Sequence, residues 1–424
     1  MKLPSLADWV LPLTLVSFVA PALTFLPSGL FLSWRWPVLA LAMVYMLFAR
    51  QSLGFVQPSV IFAGAIYFIW CLVTASWSLV PELSLTKSAA LGGVMFALIL
   101  AGYDWARRHD LSESLNFMWG YAAVSLLVGI LGPAGTPAAP DGSIVLYEGA
   151  TGNPNMLGSM MATSTPLVVW LLYRDWHDKN RRMLWGALLA SYSVVLYLTT
   201  SRAAYLAFVC ILTGFLLALG MRRYIALAVV AAFITGILAL MAPALTESIV
   251  TRNVYKYASE EEGVFFTREK GMEETYNAAV EGGWIGVGYG VSVDQTNFVV
   301  GVTAVGYGRE KGNTPLAIIE ETGIVGLILY VILMFTVFSE LVGALRACRI
   351  KEHKVLMGVF IGTLVGMIAN SMFEAWWVAP GSPEFVYFCA MSGTALGVAQ
   401  AIRDKAALRV APIWQVGDVR QELT

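Results

Sequence analysis

Apolar runs of about 20 residues recur along the chain, and a bilayer core of roughly 30 Å needs about that many residues for a helix to cross it. A segment in lipid must satisfy its own backbone hydrogen bonds, which leaves helices or closed barrels. The alternation of apolar and polar residues that barrel strands carry is missing. We read twelve helical segments, at approximately 6 to 26, 36 to 49, 59 to 79, 86 to 103, 113 to 132, 155 to 173, 184 to 199, 203 to 219, 224 to 242, 314 to 339, 355 to 375 and 384 to 402. Arg35 and Pro37 interrupt the second. With 58% hydrophobic and 13% charged residues among 424, a soluble globular domain is excluded. The expected fold class is all-α: a polytopic membrane protein with about 12 transmembrane helices and one long external loop before the tenth.

Lysine and arginine in short loops set orientation, because positive loops stay in the cytoplasm. One alternate set of loops carries Arg50, Arg107, Arg108, Arg174, Lys179, Arg181, Arg182, Arg222, Arg223, Arg346, Arg349, Lys351 and Lys354. The other short loops carry only Arg35, Lys87 and Arg202. Both termini are therefore expected in the cytoplasm. The chain then divides into helices 1 to 9 over 1–242, an external loop region over 243–313, helices 10 to 12 over 314–402 and a cytoplasmic tail over 403–424.

The long polar gap holds Arg252, Lys256, Arg268, Lys270, Arg309 and Lys311, and cations gathered outside a membrane suit an anionic substrate. The net charge of −1 says little about partners, because the sidedness of the charges carries the information and not their sum; nucleic acid is not expected as a ligand. The four cysteines fall in apolar spans or a cytoplasmic loop, so none bridges the external loop. His109, His177 and His353 read as solvated loop positions, and no metal-ligand spacing occurs. Gly282-Gly-Trp-Ile-Gly-Val-Gly-Tyr-Gly290 is too rich in glycine for a helix and suits turns or close backbone packing.

Asn313 or Thr314 as cap, with Pro315 in the first turn, starts the tenth span and aims its positive dipole end at the external cations. Glu320 and Glu321 follow within two turns. Carboxylates at such a depth need a cavity or a partner. They are either functional or interfacial residues paired with loop cations, and Glu374, beside Trp376 and Trp377, reads the same way.

Four pieces carry a resemblance. They are Gly152-Asn-Pro-Asn-Met-Leu-Gly158, Thr200-Ser-Arg-Ala-Ala204, Thr267-Arg268 followed by Gly286-Val-Gly-Tyr-Gly290, and Asn313 followed by Leu316, Glu321-Thr-Gly323 and Gly326. In this order they resemble the O-antigen polymerase and ligase superfamily of integral-membrane glycan transferases. The resemblance covers roughly residues 150 to 330.

It implies transfer of a glycan from undecaprenyl diphosphate to an acceptor hydroxyl on the outer face of the bacterial inner membrane, without cofactor or metal. The implied partners are the lipid-linked donor, the glycan acceptor and the bilayer, with other polysaccharide-assembly proteins as candidates. Arg202 and Arg268 occupy the positions of the family's diphosphate-binding arginines, and with Asn313 they are the residues expected to bind the diphosphate. Asn153 and Asn155 either contact sugar or cap the sixth helix. Ligases of this family place histidine before the asparagine of the last motif, and here Gly312 stands there. Glu321 and Glu374 are then the candidate bases. The departure favours a polymerase of exopolysaccharide or O-antigen repeat units over a ligase acting on lipid A core or protein. A multi-pass carrier or flippase without covalent chemistry is the third reading. It would need polar residues along several spans, and these spans are poor in them.

Overall fold

The computed structural model describes residues 7–24, 28–48, 56–132, 136–137, 145–222, 266–294 and 311–410. Its regular structure is helical, apart from a two-residue antiparallel pairing of Thr136–Pro137 with Val145–Leu146. In chain order the helices are α1 (Ala7–Val19), α2 (Ser28–Phe48), α3 (Pro58–Thr74), α4 (Pro81–Arg108), α5 (Trp119–Leu131), α6 (Pro154–Arg174), α7 (Lys179–Thr199), α8 (Arg202–Ala218), α9 (Phe266–Gly282), α10 (Thr314–Ala347), α11 (Lys351–Ser371) and α12 (Pro383–Val410).

Eight helical stretches among the described residues are long and apolar enough to cross a membrane. They contain α3 to α7 and α10 to α12. α1 and α8 are apolar but shorter, at 13 and 17 residues. α2 runs for 21 residues with Pro37 inside it. The segment read as the ninth span, 224–242, lies outside the described residues, as does most of the long loop. Apart from that short pairing the described residues are thus those of a helical, multi-pass membrane protein.

In lipid, apolar side chains drive helices together only weakly, and small residues that let backbones meet take over. α8 and α11 touch in this way: a Cβ on Gly214 would sit 2.5 Å from the Gly358 carbonyl and 2.7 Å from Gly362 Cα. α4 and α12 do the same, with a Cβ on Gly102 lying 2.4 Å from the Ala390 carbonyl. Some polar groups inside the bundle bond one another across helices. The Thr163 carbonyl accepts from Tyr387 Oη at 2.7 Å, and Tyr121 Oη lies 2.7 Å from Thr163 Oγ1.

The two ends of the bundle differ. At one end Arg107 pairs with Asp404, Arg108 with Asp104 and Asp8, and Arg403 with Glu340. His109, read as solvated, stacks there on Trp105 with ring centroids 3.8 Å apart. Arg174 binds Asp175, whose carboxyl is held below the usual carboxylate range, chiefly by that hydrogen bond. The opposite end holds the N-termini of α4, α6, α8, α10 and α12, and the sequence motifs gather there.

Candidate functional site at the motif-bearing end

The first motif builds the start of α6. Gly152 turns the chain with φ 63°, and Asn153 then caps the helix, its Oδ1 accepting from the backbone N–H groups of Asn155 (2.9 Å) and Met156 (3.1 Å). Pro154 occupies the first helical position, where its missing N–H is not needed. One turn on, Gly158 lets the second motif come close: an added Cβ would lie 2.7 Å from Ser201 Cβ and 3.0 Å from Thr199 Oγ1. α7 reverses into α8 through only Thr200 and Ser201, which forces Thr200 to φ 52°. A β-branched residue resists that conformation, so the reversal stores strain beside the motif. Arg202 is the first residue of α8 and half-buried.

The third and fourth motifs form one unit. α10 is broken at Gly323, where φ 73° and ψ −178° leave the helical region. An intact helix would send the Ile324 and Val325 N–H groups to the carbonyls of Glu320 and Glu321. Here those N–H groups donate to Gly283 (3.1 Å) and Trp284 (3.3 Å), while the freed carbonyls accept from Val287 and Gly288, both at 2.9 Å. Trp70 Nε1 donates to the Thr322 carbonyl at 2.9 Å. The glycine-rich segment is therefore stitched into the gap of a discontinuous span. Non-helical backbone at this depth is tolerated because protein supplies every partner. Further bonds fix the segment from α3 and its continuation: Trp77 Nε1 donates to Gly286 O (3.1 Å), and Thr74 Oγ1 accepts from Tyr289 N–H (3.0 Å).

Charges close the same unit. The Lys311 ammonium donates to Glu321 Oε1 at 2.7 Å and lies 3.2 Å from Glu320 Oε2. Glu321 Oε2 accepts from Gly290 N–H at 2.6 Å, and Glu320 Oε1 from Val293 N–H at 3.1 Å. Lys87 Nζ donates to the Gly290 carbonyl at 3.0 Å. Both carboxylates are fully buried. Two lysines and two glutamates thus balance in charge, which lets them persist away from water. Glu320 and Glu321 both pair with Lys311, a cation of the loop region.

Beside this unit lies a cavity of about 350 Å³ whose lining includes Asn153, Asn155, Ser159, Lys311, Glu374 and Glu384. The start of α10 holds its wall. Asn313 Oδ1 accepts from Leu316 N–H at 3.0 Å, Asn313 Nδ2 donates to the Met372 carbonyl at 2.9 Å, and Thr314 Oγ1 donates to the Glu374 carbonyl at 3.2 Å. Asn313 is therefore both helix cap and tether. Trp376, anchored by its Nε1 on Asn370 Oδ1 at 3.1 Å, supplies an apolar face.

Asn153, Asn155 and Glu374 thus meet in one cavity, while Glu321 faces Lys311 and the loop and is not part of the lining. Arg202 is absent from the lining and sits at the head of the helix that packs on Gly158. Arg268 is the third residue of α9, and its side chain lies outside the described residues, as do Arg252, Lys256 and Arg309. Glu384, in the first turn of α12, was not singled out in the sequence. Its position after Pro383 is the ordinary signature of an acidic residue at a helix start, and nothing local distinguishes it.

Residues 185–331 match the family model described as O-antigen ligase. The match spans α7, α8, α9 and the broken start of α10, and it bears out the resemblance to the O-antigen polymerase and ligase superfamily. No curated protein matches the chain.

Proposed function

We propose that this chain, with its O-antigen ligase-type middle, is a membrane glycan transferase that polymerises undecaprenyl-diphosphate-linked repeat units on the outer face of the bacterial inner membrane. The observation that carries the reading is the cavity where Asn153, Asn155 and Glu374 converge beside the helix that begins with Arg202. An acceptor hydroxyl attacks the anomeric carbon of the donor sugar, a new C–O bond forms, and the bond to the diphosphate breaks. Undecaprenyl diphosphate leaves with the electron pair. The hydroxyl proton passes to Glu374, half-buried and facing the cavity. Arg202 and Arg268 hold the charge that develops on the diphosphate, through bidentate hydrogen bonds worth most at the transition state. Glu321, with both oxygens occupied, carries the loop and not the proton.

The description of the matched family favours a second reading, single transfer of finished glycan to lipid A core or protein. Gly312, where such ligases keep histidine, supports the polymerase instead. Incubating the purified protein with a synthetic undecaprenyl-diphosphate oligosaccharide tests both. A ladder of lengths is the expected product. Transfer only to an added lipid A core acceptor would establish the ligase reading, and no transfer to either would sink both.

A further inference from the structure

The cavity beside α6 and α12 offers donors and acceptors without an open cation. Lys311 reaches its wall, but the ammonium is held between two carboxylates at 2.7 Å and 3.2 Å. The N-terminal amides that would make α6 an anion site are spent on Asn153 Oδ1, and the Leu316 amide at the head of α10 is spent on Asn313. Glu384 occupies the first turn of α12 and has no cationic partner among the described residues. A diphosphate brought here would meet a carboxylate and find these backbone amides already engaged.

Other groups in the lining are unsatisfied in a way that suits a different ligand. Ser159 is only 6% exposed, lines the cavity, and its hydroxyl makes no hydrogen bond among the described residues. Its oxygen is not sealed in protein but opens into the cavity, where it can bond a molecule that enters. The Asn155 side-chain amide lies one turn before it on the same wall and is likewise unengaged among the described residues. The lining also holds Met156 from the same helix and, from other segments, Trp376 and the Glu384 carboxylate. An amide, a hydroxyl and a carboxylate set among apolar faces match a pyranose, whose ring edge carries hydroxyls and whose faces carry C–H groups.

We infer that this cavity is a saccharide subsite for an uncharged pyranose, in which Asn155, Ser159 and Glu384 hydrogen-bond the sugar, and that the diphosphate binds elsewhere. The inference rests on the transferase reading only for which glycan is turned over, since the binding itself can be read without turnover.

Two measurements separate them. The purified protein in nanodiscs is titrated with lipid-free neutral trisaccharides of hexoses and N-acetylhexosamines, N-acetylchitotriose among them, and with matched uronic acid trisaccharides, using saturation-transfer NMR. Signal from a neutral member is expected, weakened about tenfold in affinity by Asn155→Ala and by Glu384→Gln, and absent in Ser159→Trp. Inorganic pyrophosphate should neither displace the sugar nor lose affinity in these variants. Glu384→Gln should also narrow the preference for neutral over uronic members, because it removes one of the two carboxyl groups, Glu374 and Glu384, in the lining. Silence from every neutral trisaccharide, or displacement by pyrophosphate, overturns the subsite. In the turnover assay the same two variants should raise KM for the glycan. Binding without turnover would sink the transferase reading and keep the subsite, whereas turnover with an unchanged KM would do the reverse.

Discussion

Lys311 donates to Glu321 across 2.7 Å at a place where neither side chain reaches water. The contact joins the last residues before α10 to the turn that ends at the helix break, and through Gly290 it holds the glycine-rich segment. Preorganised donors and acceptors of this kind keep a nearby site from relaxing as charge develops.

Lys311→Met should therefore destabilise strongly. It leaves two buried carboxylates facing each other, and breaking such a network costs about 3–5 kcal/mol. Thermal unfolding of the detergent-solubilised variant should show a clear fall in midpoint. A midpoint within about 2 °C of the parent would show that the pair contributes little.

Gly323→Ala and Gly343→Ala, on the same helix, should differ in sign. At Gly323 the φ of 73° disfavours any side chain, and a Cβ would come 2.0 Å from the Trp284 carbonyl. Closing the helix there would also reclaim the carbonyls that hold Val287 and Gly288. Strain of this type is on the order of 1–3 kcal/mol. Nothing lies within 4 Å of a Cβ at Gly343, where alanine gains up to about 1 kcal/mol of helix propensity. Limited proteolysis should cut the 283–294 segment faster in the first variant alone. Equal protection in both would refute the stitched break.

Gly158→Val tests whether the first two motifs act together. The new side chain must push the start of α8 away, since Ser201 Cβ is only 2.7 Å from a Cβ at that position. Displacement of about 1 Å can lower a rate 100-fold. Transfer should drop while the folded protein accumulates normally, and an unchanged rate would separate Arg202 from the cavity functionally.

Arg202→Ala and Arg268→Ala should each lower the rate of chain extension by about 10²–10³, the usual loss for one transition-state donor. Lysine at Arg202 should restore part of it, because an ammonium keeps the charge without the planar fork. Product ladders of normal length in both alanine variants would remove the arginines from the mechanism.

Much of this was written locally. Apolar length sets the spans, and asparagine followed by proline announces the starts of α6 and α10, where the caps are found. Clustering of the four motifs follows from an even alternation of spans. Glu321 was legible as a carboxylate in need of a cavity or a partner, but only the packed chain shows that Lys311, ten residues earlier, is the cation that turns back onto it. Glu384 looked ordinary because its neighbours in the cavity, Asn155 and Ser159, lie more than two hundred residues away in the chain.

What the sequence determined alone is the class of molecule: helices that satisfy their own backbone in lipid, capped where asparagine and proline allow, with an order of motifs that marks a superfamily. Only the tertiary structure decided that α10 breaks and takes a distant glycine-rich segment as its hydrogen-bond partner, and which carboxylate is buried and which faces the cavity. Local propensity acts over a few residues and can be read along the chain. Hydrogen-bond exchange and charge pairing between remote segments depend on distances that exist only once the bundle has packed.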